Sequence, residues 1–131
     1  MILLDTHAWV WWLSEPALLS AAARGAIDAA ADERRLLLSA ISAWEVTLLA
    51  ERRRLQLTSD VEAWIERSVA LPFLTVVPVD VRIAVRSVRL PAPLHPDPAD
   101  RIIAATALTM GASLVTRDER LRAWGAVSTI W

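Results

Sequence analysis

Met1-Ile2-Leu3-Leu4-Asp5-Thr6-His7 sets the reading of the whole chain: a short unbroken apolar run, then a carboxylate, then the start of a helical pattern. A strand that is apolar at every position has both faces buried, which is the habit of a parallel sheet covered by helices on each side. The same order returns at Leu36-Leu37-Leu38, which leads into a helical stretch containing Glu45, and at Leu114-Val115-Thr116, followed by Arg117-Asp118. Leu74 to Pro78 reads as a further strand and Val127 to Ile130 as a fifth. Between them lie helical patterns over His7 to Leu13, Ala21 to Ala31 behind Ser20 as N-cap, Val61 to Ala70 behind Asp60, Asp80 to Arg89, and Ala99 to Met110 with Gly111 as its stop. Ser42-Ala43-Trp44-Glu45 has the spacing of a capping box and predicts a helix from Ser42 to about Arg53. Strands alternating with helices predict an α/β fold, with a mostly parallel sheet of four to five strands covered on both faces.

The bulk numbers fit one domain over residues 1–131, long enough to bury roughly two-thirds of its unfolded surface. A hydrophobic fraction of 55% and a mean hydropathy of +0.38 are high for that size and point to a surface covered by a partner. The longest uncharged stretch, Ile102 to Thr116, is shorter than the roughly 20 residues of a membrane span. The opening residues lack a basic leader, so cytoplasmic residence is expected. With no cysteine and only His7 and His95 as nitrogen donors, structural zinc and thiolate chemistry are excluded. The net charge of -1 argues against a nucleic-acid binder taken alone, but all 14 basic residues are Arg, clustered at Arg52-Arg53-Arg54 and at Arg117, Arg120 and Arg122. Arginine suits bidentate phosphate contacts, although such clusters also serve as ordinary solvated helix ends.

Asp5, Glu45, Asp100 and Asp118 each stand where a strand ends or a helix begins. In a parallel sheet those positions converge on one crevice outside the carboxyl ends of the strands. Each acid also has a plain structural explanation, helix capping for the aspartates and the capping box for Glu45. Together they predict a carboxylate cluster that takes a hard divalent cation, Mg²⁺ or Mn²⁺, with Asp5, Asp100 and Asp118 as ligands. The proline-rich loop Leu90 to Pro98 delivers Asp97 and Asp100 to a helix start, and Asp97 is the expected cap. No Gly-rich turn follows the first strand, and the absence of lysine excludes phosphate enzymes that depend on one.

The segments Leu3-Leu4-Asp5-Thr6-His7, Ser39-Ala40-Ile41-Ser42-Ala43-Trp44-Glu45, His95-Pro96-Asp97-Pro98-Ala99-Asp100-Arg101 and Leu114-Val115-Thr116-Arg117-Asp118 resemble, in order, the four signature blocks of PIN-domain proteins. The likeness is strongest to the VapC toxins of bacterial toxin–antitoxin pairs and covers essentially the whole chain. It implies a PIN-like three-layer sandwich and a metal-dependent endoribonuclease with RNA as substrate and a cognate antitoxin as partner. Asp5, Glu45, Asp100 and Asp118 match the acidic site of that family, and Thr6 and Thr116 its neighbouring hydroxyls; Thr6, Thr116 and Arg117 are expected to position substrate. Ala99 departs from the pattern, standing where many relatives carry an aromatic. The rival reading is a catalytically inactive PIN-like module that only engages a protein partner. Trp9, Trp11 and Trp12 fall on more than one face of a short helix, so one or two are expected in the core and the remainder at a homodimer or antitoxin interface.

Overall fold

The computed structural model describes every residue from Met1 to Trp131. Five strands, β1 (Ile2–Leu4), β2 (Leu36–Ser39), β3 (Leu74–Val77), β4 (Ser113–Val115) and β5 (Thr129–Ile130), form one sheet in the order β3-β2-β1-β4-β5. All four pairings are parallel. Seven helices connect them: α1 (Thr6–Ser14), α2 (Ala21–Asp32), α3 (Ala40–Glu51), α4 (Val61–Val69), α5 (Val81–Val88), α6 (Pro98–Met110) and α7 (Glu119–Trp124). None is long and apolar enough to cross a membrane.

The unbroken leucine runs explain the layering. Successive side chains of a strand point to opposite faces, so Leu4, Leu36, Leu38 and Val115 join one core with Ala8 and Trp9 of α1, Ile27 of α2, Val46 of α3 and Trp64 of α4. Leu3, Leu37 and Leu114 join the other, against Ile83 of α5, Ile103 and Ala104 of α6 and Leu121 of α7. The small Ala104, Ala105 and Ala107 are buried and bring α6 close to the sheet. Gly111 takes a left-handed φ of 63° and ends α6, as its position predicts.

Two expectations need correction. The fifth strand is shorter than Val127 to Ile130, because Val127 is buried in the core ahead of the pairing residues Thr129 and Ile130. The capping box is absent: α3 begins at Ala40, and its N-cap is Ser39, whose hydroxyl accepts from the Ile41 N–H at 3.2 Å. Ser42 therefore lies inside the helix, fully buried, and Glu45 a turn beyond it is free of a capping duty. The helix α7 was signalled only by its cap, Asp118.

The sheet order places β1 and β4 side by side in the middle, with chain connections leaving β1 toward one edge and β4 toward the other. That reversal opens a crevice at the carboxyl ends of the two strands. Asp5 follows one of them and Thr116, Arg117 and Asp118 follow the other.

Candidate active site

The crevice is a cleft of about 730 Å³ whose walls include Asp5, Thr6, Glu45, Asp97, Asp100, Arg117 and Asp118. The three aspartates that begin helices are set in place by their own backbones. Asp5 Oδ1 accepts from the Ala8 N–H at 2.7 Å and caps α1. Asp97 Oδ1 accepts from the Asp100 N–H at 2.9 Å and caps α6, as expected. Asp118 Oδ1 accepts from the Arg120 and Leu121 N–H groups at 2.8 and 3.3 Å and caps α7. Capping and site placement are thus one arrangement rather than alternatives, since the first turn of each helix faces the cleft.

Asp100 sits one turn into α6, with its Oδ2 2.7 Å from His95 Nε2. The loop carrying His95 is tied down by Arg101, which donates to the backbone carbonyls of Ser87, Leu94 and Val88. Thr6 donates through its hydroxyl to Ser42 Oγ at 3.0 Å, joining α1 to α3 on the side from which Glu45 projects. Thr116 is fully buried behind the acids, and its hydroxyl accepts from the Asp118 N–H at 3.1 Å. Beside that bond its hydroxyl lowers the Asp5 carboxyl, so Thr116 braces two of the acids.

Two sets of donor atoms converge to within 4.8 Å: His95, Asp100 and Asp118, and Glu45, Asp97 and Asp100. Asp5 lines the same cleft but belongs to neither set. His95 and the second role of Asp97 were not foreseen, and the one hint in the sequence was a histidine five residues ahead of Asp100 in a proline-stiffened loop. Arg120 was seen only as part of a basic cluster; its Nη2 lies 3.1 Å from Asp118 Oδ2 and 3.9 Å from Asp100 Oδ2, at the exposed mouth of the site.

The electrostatics follow from burial. Loss of solvation pushes the Asp5 carboxyl up to about 6, against the opposing pull of the Thr116 hydroxyl, the Ala8 N–H and His7. Glu45 is also raised, first by burial and then by the charge of Asp100, with the Thr6 hydroxyl pulling the other way. Asp100 is raised by burial and by Asp97 and Asp118, offset in part by its bond to His95. Burial alone would raise Asp118 too, but the Arg120 side chain and the two capping N–H groups outweigh it and hold this carboxyl below its usual range. Asp5, Glu45 and Asp100 all line one cleft with their ionised forms penalised, and a hard divalent cation bound there would relieve that penalty.

Comparison with known proteins bears on the fold and the family. A family model described as PIN domain matches residues 2–126. Ribonuclease VapC22 of Mycobacterium tuberculosis is 43% identical over 121 residues, covering 92% of this chain and 89% of that protein. Among solved structures, VapBC2 from Rickettsia felis bound to a DNA fragment from its promoter superposes with a TM-score of 0.70 at 14% identity, over 98% of this chain and 97% of that one. A toxin–antitoxin complex from Klebsiella pneumoniae gives 0.65 at 24% identity, with the same coverage of both chains. The structural matches establish the fold, and the 43% relative shares nearly the full length on which that fold is built. This chain accordingly belongs to the PIN-domain family, on its VapC-like branch.

Proposed function

We propose that this protein is a metal-dependent endoribonuclease and the toxin of a toxin–antitoxin pair, hydrolysing RNA phosphodiester bonds. The observation that carries the reading is the pair of donor sets, Glu45 with Asp97 and His95 with Asp118, that share Asp100 in a cleft at the β1/β4 reversal. Asp100 and Asp118, with Asp5, are the residues that would hold Mg²⁺ or Mn²⁺. Once bound, such an ion supplies Lewis acidity toward a phosphate oxygen and a more acidic water. Glu45 orients the attacking water, Thr6 and Thr116 fix the helices and carboxylates around it, and exposed Arg117 meets a phosphate at the rim. The choice of RNA is supported by the name of the 43% relative.

The inactive-module alternative has one observation in its favour, the Arg120 ion pair with Asp118. Arg120 is mostly exposed, so the pair can open without disturbing the core. A direct test is incubation of total cellular RNA with the protein in Mg²⁺ and in EDTA: cleavage confined to Mg²⁺ is expected, and none in either would leave the inactive module. The same ion should raise thermal stability, by about 2.7 kcal/mol at a hundred times its Kd, and an unchanged melting curve would count against the metal site.

An antitoxin protein and a second copy of the chain are the proposed partners. Trp44 on α3 is 54% exposed, and Val81, Val85 and Val88 form one apolar stripe on α5. Sedimentation is expected to show a dimer that shifts on adding the product of an adjacent small gene; a monomer unaffected by it would refute both partners.

A further inference from the structure

The cleft has a component that the acids leave unexplained. Of the 14 residues lining it only two are hydrophobic, and both are tryptophans, Trp11 and Trp131. Their ring centroids lie 5.9 Å apart with planes tilted by 60°. His7, one turn earlier on α1, stands 5.5 Å from Trp11, and the Arg117 guanidinium lies 5.8 Å from the centre of the Trp11 ring. The three tryptophans of α1 have therefore separated: Trp9 is fully buried against Trp64, Trp12 meets Phe73, and Trp11 turns to the cleft.

Trp11 and Trp131 do pack on the edge of one core, but both keep part of their surface in the cleft. Flat apolar rings with a cation beside them, in an otherwise charged and wet cleft, suit a ligand that is itself flat, apolar on its faces and attached to a negative charge. Their position fits the chemistry. Asp5 caps the helix that carries His7 and Trp11, and Trp11 lies about 9 Å along that helix from Asp5. Trp131 follows β5, which pairs with β4, the strand that delivers Arg117 and Asp118.

Building on the ribonuclease reading, we propose that His7, Trp11, Trp131 and Arg117 form a base-stacking subsite for an unpaired nucleotide beside the scissile phosphate. The base must be out of a helix to reach it, because a paired and stacked base cannot offer its face to the tryptophans. Arg117 serves the adjoining phosphate while its guanidinium packs on Trp11. Stacking of this kind accepts any base, so the subsite adds affinity for the nucleotide without reading its identity.

The test is binding of two fluorescently labelled oligoribonucleotides of equal length, one with bases and one abasic, to the full chain in EDTA, followed by anisotropy. Both carry the same phosphates, so repulsion from the acids cancels in the comparison. Wild type is expected to bind the base-bearing strand about tenfold more tightly. Trp11→Ala should remove that preference without changing abasic affinity, and Trp11→Phe should restore most of it. Equal affinity of wild type for the two strands overturns the subsite, and that comparison needs no variant to fold. So does a Trp11→Ala protein that loses grip on the antitoxin but keeps the base preference, which would assign the rings to the protein partner. Metal-dependent RNA cleavage with no base preference refutes the subsite alone, whereas neither cleavage nor binding refutes the ribonuclease reading beneath it as well.

Discussion

Asp5→Asn is expected to stabilise the metal-free protein at pH 8 by about 2 kcal/mol. The Asp5 carboxyl is raised from 3.8 to about 6 in the fold, and that gap corresponds to about 3 kcal/mol of penalty on the ionised form. Asparagine keeps an oxygen for the Ala8 N–H and is as good an N-cap as aspartate, while the lost attraction to the helix dipole costs up to about 1 kcal/mol. The sign follows from proton uptake: between 3.8 and about 6 the folded state holds the proton and the unfolded state does not, so wild-type stability falls as pH rises through that window. The variant does not titrate there. Its advantage should be full above about pH 6 and should vanish below 3.8. Denaturant midpoints in EDTA across this range measure it, and an Asp5→Asn protein no more stable than wild type at pH 8 would mean that Asp5 is not a strained charge. In excess Mg²⁺ the order should narrow or reverse, because the variant loses a group proposed to bind the ion.

Asp100→Asn is expected to lower RNA cleavage by at least about 100-fold, with little change in melting temperature. Even partners outside the first coordination sphere typically cost 10- to 100-fold when removed, and Asp100 is the one carboxylate common to both convergent donor sets. Its own side chain does not cap a helix, so its loss removes no backbone bond. Asp97→Ala is the control: it leaves the Asp100 N–H without its 2.9 Å partner and should cost about 1 kcal/mol. Since Asp97 also belongs to one donor set, a smaller loss of cleavage is expected to accompany it. Single-turnover rates and melting curves on both variants decide the matter, and a fully active Asp100→Asn protein would remove the metal centre from this cleft.

The sheet was legible because leucine runs such as Leu36-Leu37-Leu38 can be satisfied only between two apolar layers, and the structure sends alternate members of each run to different cores. Asp5 and Asp118 were legible for a related reason, as they stand at the exits of β1 and β4, whose direction the parallel topology fixes. The start of α3 was misplaced because Ser39 and Ser42 are both plausible caps on local chemistry. What separates them is a contact with Thr6, 36 residues away from Ser42, which engages the Ser42 hydroxyl inside the helix. His95 was missed on similar grounds: its approach to Asp100 depends on Arg101 drawing the proline loop onto the end of α5 through three backbone carbonyls. Side-chain clasps of this sort leave no periodic trace in a sequence. Trp11 and Trp12 are neighbours with the same composition and opposite fates, and only the packing of Phe73 and Trp131 tells them apart.

Asp5, Asp97 and Asp118 each devote one oxygen to an amide at the start of a helix, which freezes the rotation of the carboxyl, and at Asp118 the other oxygen faces Arg120 Nη2 at 3.1 Å. A bound cation would therefore be offered one oxygen by each, with Arg120 displaced at Asp118, and would keep room for solvent and for a phosphate. The rotational freedom that a flexible acidic loop would surrender on loading has already been given up during folding. A site organised in that way would take up a cation with little rearrangement of its acids beyond the parting of Arg120 from Asp118.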